Sequence, residues 1–202
     1  MKKTVYMMRH GQTLFNVQKK NQGWCDSPLT EQGIEQAKIA KQYFIDNDIH
    51  FDAAYCSTSE RCVDTLELLT DMPYTRCKGL KEWNFGQFEG KDSFLNPPSP
   101  FGDFFKNFGG EGQEEFVQRI VSTMTEIMEK EEGTVLVVSH GAACARFTHY
   151  FDEHNKIIAH KGLKNCAIFK YEYEDGIFSL QELIEYEFNK NTKQWERYFT
   201  NK

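Results

Sequence analysis

The sequence lacks long apolar segments and any excess of basic residues. Its longest unbroken aliphatic stretch runs only from Val135 to Val138, whereas a helix that crosses a bilayer needs about 20 apolar residues. The 202 residues include 24 Lys and Arg against 30 Asp and Glu, a net charge of −6. Because this balance repels nucleic acid and acidic lipid, we expect neither a membrane protein nor a nucleic-acid-binding module.

Signals for secretion and for disulfide bonding are also missing. The apolar stretch near the N-terminus is interrupted at Arg9 after about five residues, which is too short for the apolar core of a signal peptide. No Cys-x-x-Cys pair and no Asn-x-Ser/Thr sequon occur. The cysteines are scattered through apolar stretches, which is typical of reduced, buried thiols. They are Cys25, Cys56, Cys62, Cys77, Cys144 and Cys166. These features favour a cytoplasmic protein.

Strand-like apolar stretches alternate with helical patterns, which is typical of a mostly parallel sheet with crossover helices. Strands are predicted at 4–8, 51–56, 74–78 and 134–139, and helical spacing of apolar residues recurs over 34–44, 62–69, 116–128 and 142–151. Asp175-Gly176 then separates two alternating stretches and is the strongest hairpin signal. We therefore predict an α/β fold, a three-layer sandwich with a mostly parallel central sheet flanked by helices and closed by an antiparallel hairpin.

The length suits a single domain over residues 1–202, with two segments outside these patterns. Residues 91–111 have no period and carry three prolines and five phenylalanines, too many aromatics for a solvated linker. We predict that they form a lid over the active site, and the alternative is a partner-binding patch. The tail at 186–202 is compatible with another strand pair or with a docked segment. The oligomeric state is not indicated.

Two predicted strands end in the same unusual way, in a histidine followed by glycine. These histidines are His10 and His140, and Arg9 precedes the first of them. The carboxyl edge of an open parallel sheet is where ligands bind. The next strand leads within one helical turn to Arg61, and a further loop brings Glu82. We expect these five side chains to converge at one edge of the sheet.

Such a set suits the handling of a phosphoryl group. Guanidinium groups offer several planar N–H donors to a phosphate dianion. One neutral imidazole can attack phosphorus, and a second, protonated imidazole would add charge stabilisation. A carboxylic acid whose pKa is raised by apolar neighbours such as Trp83 and Phe85 can deliver the proton that the leaving group needs. The residues alone therefore predict an enzyme that acts on phosphate esters.

Longer motifs carry a family resemblance. They are Arg9-His10-Gly11-Gln12-Thr13 with Asn16, Gln22-Gly23-Trp24, Asp26-Ser27-Pro28-Leu29-Thr30, Gly33-x-x-Gln36-Ala37, Ser57 to Arg61 with Thr65, Leu80-x-Glu82 with Gly86, Glu89-Gly90, and Ser139-His140-Gly141. From residue 4 to about 175 the chain resembles the histidine phosphatase superfamily. The resemblance is to the branch of this superfamily that includes the cofactor-dependent phosphoglycerate mutases. That family has the α/β fold predicted above.

The resemblance also implies roles for individual residues. His10 would be the phosphorylated nucleophile and Glu82 the proton donor and later base, so that small phosphate esters are hydrolysed through a phosphohistidine. Arg9, Arg61 and His140 would form the phosphate pocket. Substrate binding would further involve Asn16, Gln22, Gly23 and Gly141. No cofactor and no metal is assigned, and the expected partner is a small-molecule phosphate ester.

Individual residues also suggest three other functions. A zinc site built from His149, His154 and His160 is disfavoured, because their spacing does not place them on one helix face. A phosphoglycerate mutase must bind a second anionic group of its substrate. The segment between Glu82 and His140 offers few cations for this, namely Lys91, Lys106, Arg119 and Lys130. A phosphatase is therefore favoured, with the mutase and a non-catalytic phosphoester-binding scaffold as alternatives. The phenylalanines of the lid loop favour an apolar or aromatic leaving group.

Overall fold

The computed structural model describes residues 2–159 and 162–198. The strands are β1 (Lys3–Arg9), β2 (Ala53–Ser57), β3 (Thr75–Cys77), β4 (Thr134–Ser139), β5 (Ile168–Glu174), β6 (Ile177–Asn189) and β7 (Gln194–Tyr198). The α-helices are α1 (Leu14–Val17), α2 (Glu31–Asp46), α3 (Glu60–Leu69), α4 (Gln113–Lys130) and α5 (Gly141–Tyr150). Within these described ranges, no helix is both long enough and apolar enough to span a membrane.

The strands form one sheet in the order β3-β2-β4-β1-β5-β6-β7. From β3 to β1 neighbouring strands are parallel, and from β1 through β5 and β6 to β7 they are antiparallel. Arg9 of β1 pairs with Ser139 of β4, so these two strands end side by side at the same edge. The predicted mostly parallel sheet, closed by an antiparallel hairpin, is confirmed.

Helices cover both faces of this sheet. Successive residues of a strand point to opposite faces, and β1 shows the consequence. Val5 and Met7 belong to a buried cluster with residues of α4 and α5, whereas Tyr6 and Met8 belong to a second cluster with residues of α2 and α3. The predicted three-layer sandwich is therefore confirmed.

Local signals explain several element boundaries. The Thr30 side chain accepts a hydrogen bond from the N–H of Gly33 (3.1 Å) and so caps α2. Asp175 and Gly176 both have positive φ, 50° and 84°, as the tight hairpin turn between β5 and β6 requires. Beyond this hairpin, β6 and β7 pair through residues 185–198. The tail thus contains a strand pair, and residues 199–202 lie outside the described ranges.

The loop at 91–111 folds inward around Phe105, which is fully buried. The ring centroid of Phe105 lies 4.9 Å from that of Phe85, 5.2 Å from that of Phe104 and 6.2 Å from that of Trp83. Two short 3₁₀ turns, Ser93–Leu95 and Phe105–Phe108, shape the loop. Most of its phenylalanine rings are therefore part of an aromatic cluster beside the segment that carries Glu82.

Candidate active site

The adjacent ends of β1 and β4 open onto a cleft of about 850 Å³. Six residues assigned to the site from the sequence line this cleft: Arg9, His10, Asn16, Gln22, Glu82 and Gly141. Gly23, Arg61 and His140 do not line it, and the side chains of Arg61 and His140 are fully buried. The structure thus brings the predicted residues together at the carboxyl edge of the parallel strands, some of them lining the cleft and the others packed behind it.

His10 is held in one tautomer. Its Nδ1 lies 2.7 Å from the carbonyl oxygen of Gly11. Because a carbonyl oxygen only accepts hydrogen bonds, Nδ1 carries the proton and Nε2 keeps its lone pair. Burial, together with the positive charges of Arg61 and Arg9, holds the pKa of His10 well below its usual range. The ring is therefore neutral at pH 7, which is the form that can act as a nucleophile.

Glu82 lies against the N-terminus of α5. Its carboxyl oxygens accept hydrogen bonds from the backbone N–H groups of Ala142 (2.8 Å), Ala143 (3.1 Å) and Trp83 (2.9 Å). Burial raises the pKa of Glu82 above its ordinary value, although these hydrogen bonds and the nearby arginines oppose the rise. A buried carboxyl with a raised pKa retains its proton at higher pH and suits general acid catalysis.

Arg61 anchors the residues that pack behind the cleft. Its Nη1 donates to the carbonyl oxygen of Cys25 (3.0 Å) and to Oδ1 of Asp26 (2.9 Å). Its Nη2 donates to the carbonyl oxygen of Gly23 (2.9 Å) and to Nδ1 of His140 (2.8 Å). This places Gly23 behind the cleft, where its backbone positions an arginine.

His140 is a neutral histidine, so the expectation of a protonated second imidazole is wrong. A guanidinium group cannot accept a hydrogen bond, hence Nδ1 of His140 accepts from Arg61 and Nε2 carries the proton. That Nε2–H donates to Oγ of Ser57 (2.8 Å). Burial, and then the charge of Arg61, hold the pKa of His140 well below its usual range. The sequence could not indicate that this ring would face a cation inside the protein.

Among the described residues, two buried guanidinium nitrogens have no hydrogen-bond partner, namely Nε of Arg9 and Nε of Arg61. Arg9 is oriented by a hydrogen bond from its Nη1 to the carbonyl oxygen of Leu163 (2.6 Å). Gly141 leaves room beside it, since a Cβ at this position would lie 3.1 Å from Nε of Arg9. A buried donor without an acceptor costs about 1–3 kcal/mol. An anion that accepted hydrogen bonds from these donors would remove that cost.

Asn16 and Gln22 add amide groups to the cleft. Oδ1 of Asn16 accepts from the backbone N–H of Thr13 and from Nδ2 of Asn165, both at 3.1 Å. This arrangement assigns the Asn16 amide nitrogen as a donor. Oε1 of Gln22 accepts from Oγ1 of Thr13 (2.6 Å). Both side chains are thus oriented by neighbours near the end of β1.

Glu89 organises the loop that contacts Arg61, a role that the sequence analysis did not assign. Its carboxylate accepts hydrogen bonds from the backbone N–H groups of Gly23 (3.0 Å), Trp24 (2.8 Å), Cys25 (3.1 Å) and Phe85 (3.0 Å). Carbonyl oxygens of the same loop accept from Arg61. The motif Glu89-Gly90 was the only sequence signal for this function.

Arg119 and Glu111 form a clamp on the segment that carries Glu82. The guanidinium group of Arg119 binds both carboxylate oxygens of Glu111, each at 2.7 Å. It also donates to the carbonyl oxygens of Gly79 (2.8 Å), Lys81 (2.8 Å) and Glu82 (3.1 Å). From the sequence, Arg119 was predicted only as one of the few cations between Glu82 and His140, and nothing local indicates its contacts with residues about 40 positions earlier.

The phenylalanines of the loop at 91–111 do not contribute the predicted contacts to a leaving group. Phe104 and Phe105 are not among the described residues that line the cleft, whereas Ser99 is. The expectation that these rings contact the leaving group is wrong, because they pack on Phe88 and Trp83 instead. That the loop acts as a lid stays a prediction.

Three basic residues line the cleft without having been assigned to it from the sequence: Lys20, Arg146 and His149. Arg146 and His149 lie on α5, on the face that also presents Ala142 and Ala145 to the cleft. Their spacing along α5 was the available signal, because residues three, four and seven apart share a helix face.

In the described part of the chain, no three His, Cys, Asp or Glu residues are grouped so that they could hold a metal ion. Of the three histidines weighed as zinc ligands, His160 lies outside the described residues.

Fold and site together define an α/β enzyme whose cleft combines a neutral histidine, a buried carboxyl and two arginines at the end of a parallel sheet. The family model of the histidine phosphatase superfamily (branch 1) matches residues 5–185. The chain belongs to this family, and the prediction of a histidine-type phosphatase is confirmed at that level.

Individual relatives agree with this placement. A protein described as a candidate phosphoserine phosphatase from Hydrogenobacter thermophilus is 30% identical over 69% of this chain and 73% of its own length. A broad-specificity phosphatase from Saccharomyces cerevisiae is 32% identical over 69% of this chain and 66% of its own length. Among solved structures, a phosphoglycerate mutase from Bacillus anthracis superimposes with a TM-score of 0.77 at 29% identity, over 89% of this chain and 92% of its own.

Proposed function

We propose that this protein is a phosphomonoesterase that hydrolyses small phosphate esters through a phosphohistidine on His10, with Glu82 as the proton donor. The observation that carries the proposal is the fixed tautomer of His10. Its Nδ1 is engaged with the Gly11 carbonyl group, so the lone pair on Nε2 is available in a cleft that also contains Glu82.

In the first step, Nε2 of His10 attacks the phosphorus atom of the bound ester. The N–P bond forms while the bond from phosphorus to the ester oxygen breaks, and the electron pair of that bond stays on the ester oxygen. Glu82 transfers its proton to this oxygen, so the leaving group departs as a neutral alcohol. The unpartnered Nε–H groups of Arg9 and Arg61 bind the phosphoryl oxygens and stabilise their charge.

In the second step, water replaces the alcohol. The carboxylate of Glu82 removes a proton from the water molecule, whose oxygen attacks phosphorus. The N–P bond breaks, its electron pair returns to Nε2 of His10, and inorganic phosphate leaves. Glu82 is then protonated again and the cycle is complete. In this scheme the neutral His140 orients Arg61 through its hydrogen bond.

Hydrolysis is favoured over mutase activity by the similarity to relatives that are named as phosphatases. In addition, the four cations between Glu82 and His140, which the sequence offered for a mutase's second anion site, lie outside the described lining of the cleft. Arg119 is used by the clamp with Glu111, and Lys106 forms an ion pair with Glu115. A purely binding protein is disfavoured, because all five residues of the predicted catalytic set are present, namely Arg9, His10, Arg61, Glu82 and His140.

Product analysis tests this function directly. The purified protein is incubated with 3-phosphoglycerate and, separately, with propyl phosphate, and both inorganic phosphate and 2-phosphoglycerate are quantified. A phosphatase releases inorganic phosphate from both compounds. Formation of 2-phosphoglycerate without release of phosphate would establish the mutase instead, and binding of both esters without turnover would establish the scaffold.

A further inference from the structure

Arg146 is a cation without a partner on the wall of the cleft. Its side chain is half-buried and lines the cleft, yet within residues 2–159 and 162–198 it forms no hydrogen bond and no ion pair. Partial burial removes water from a charged group, and such groups are ordinarily paired. An unpaired guanidinium group in a ligand cleft therefore points to an anionic ligand.

Other charges in the cleft have the same sign. Lys20 also lines it, and its Nζ lies 5.4 Å from the ring centroid of Phe15, with no ion pair in the described part of the chain. Glu82 is the single acidic residue among the described lining residues, and its raised pKa favours the uncharged form. The phosphoryl group of a substrate would be bound by Arg9 and Arg61, which leaves Arg146 and Lys20 uncompensated.

We propose that Arg146, supported by Lys20, binds a second anionic group on the substrate. The preferred esters are thus phosphomonoesters whose alcohol part itself carries a carboxylate or a second phosphate. This inference rests on the proposed function and names its substrate class. It replaces the apolar leaving group expected from the sequence, because Phe104 and Phe105 do not line the cleft.

The position of Arg146 on α5 sets the approximate size of such a substrate. Ala142 contacts the Glu82 carboxyl through its backbone N–H, and Arg146 lies four residues further along the same face. At the rise of an α-helix this is about 6 Å. A short linker of two or three carbon atoms between phosphate and second anion therefore suits the distance, and the volume of about 850 Å³ has room for it.

Three esters with the same carbon chain test the proposal. Propyl phosphate has a neutral end, 3-phosphonooxypropanoate ends in a carboxylate, and propane-1,3-diol bisphosphate ends in a second phosphate. The value of kcat/KM is measured for each ester with the wild-type protein and with Arg146→Ala, Arg146→Lys and Lys38→Ala. Lys38 is an exposed residue of α2 outside the cleft, so its substitution removes the same net charge elsewhere.

The measured quantity is the kcat/KM of an ester with a second anionic group divided by the kcat/KM of propyl phosphate. We expect Arg146→Ala to lower this ratio by about ten- to hundredfold, the range for a lost charge-assisted hydrogen bond. Arg146→Lys restores part of the ratio, and Lys38→Ala leaves it at the wild-type value. If the ratio falls for 3-phosphonooxypropanoate, the recognised group is the carboxylate, and if it falls for the bisphosphate, the recognised group is the second phosphate. An unchanged ratio in Arg146→Ala, or an equal fall in Lys38→Ala, would overturn the proposal.

Binding measurements separate this proposal from the proposed function. If the wild-type protein hydrolyses none of the three esters, the proposed function fails. The subsite is then judged by calorimetry, with the same esters titrated into His10→Ala and into His10→Ala/Arg146→Ala. Weaker binding of the anionic esters alone in the double variant supports the subsite, and equal binding in both proteins rejects it.

Discussion

Glu82→Gln removes one acidic proton and changes the shape of the side chain very little. In the folded protein, one carboxyl oxygen accepts from the N–H groups of Trp83 and Ala143, and the other accepts from that of Ala142. The glutamine oxygen can keep the first two hydrogen bonds, but its NH₂ group then meets the N–H of Ala142. A buried donor left without an acceptor costs about 1–3 kcal/mol, so the variant is destabilised by that amount.

The larger effect is on catalysis. Loss of a general acid slows a reaction by about 10²- to 10⁴-fold, which corresponds to about 2.7–5.5 kcal/mol of transition-state stabilisation. This loss depends on the leaving group. Propanol leaves with difficulty unless its oxygen is protonated, whereas 4-nitrophenolate leaves readily as the anion. We therefore expect Glu82→Gln to slow propyl phosphate far more than 4-nitrophenyl phosphate.

The assay measures kcat for both esters with the wild-type protein and the variant, alongside thermal unfolding to confirm that the variant is folded. Arg119→Lys is a useful comparison, because it weakens the clamp behind Glu82 and leaves the carboxyl group in place. Equal slowing of the two esters by Glu82→Gln would remove Glu82 from the role of proton donor.

Three further predictions concern stability and positioning. Phe105→Ala should lower the free energy of unfolding by about 3–5 kcal/mol. Phe94 is 80% exposed, so Phe94→Ala should change the free energy of unfolding by less than about 0.5 kcal/mol. Similar shifts of the melting temperature in the two variants would contradict the inward packing of the loop. Arg119→Ala should lower kcat and shift the alkaline limb of its pH profile, which Glu82 controls, while inhibition by inorganic phosphate stays unchanged; weakened phosphate inhibition would show a wider structural role. A buried neutral histidine binds fewer protons than the same residue in the unfolded chain, so the free energy of unfolding should fall as the pH drops below about 6.5. In chemical denaturation, His10→Ala should reduce the slope of the free energy of unfolding against pH by up to about 1.4 kcal/mol per pH unit. An unaltered slope would refute the lowered pKa of His10.

Features set by neighbouring residues were predictable from the sequence. The helix after Thr30, the strand ending before His140 and the turn at Asp175-Gly176 each follow from a local pattern of apolar spacing, capping or turn residues. The convergence of His10 and His140 also followed, because parallel strands bring their carboxyl ends to one edge.

Features that depend on distant contacts were not predictable. The neutral state of His140 follows from Arg61, 79 residues away in the chain. Glu89 binds a loop 64–66 residues earlier, and no periodicity indicates that contact. The phenylalanines of residues 91–111 have no regular spacing, so the sequence did not distinguish rings that pack inward from rings that face a ligand. The four-residue helix α1 (Leu14–Val17) is too short to produce a pattern.

Trapping the covalent intermediate tests the central claim most directly. The wild-type protein is mixed with a ³²P-labelled phosphate monoester, quenched in alkali within the first turnover, digested and analysed by mass spectrometry, with His10→Ala as the control. The account predicts a phosphate that is stable in base and labile in acid, located on His10 and missing from the control. Rapid release of inorganic phosphate with no label on His10, or with label on another residue, would contradict it.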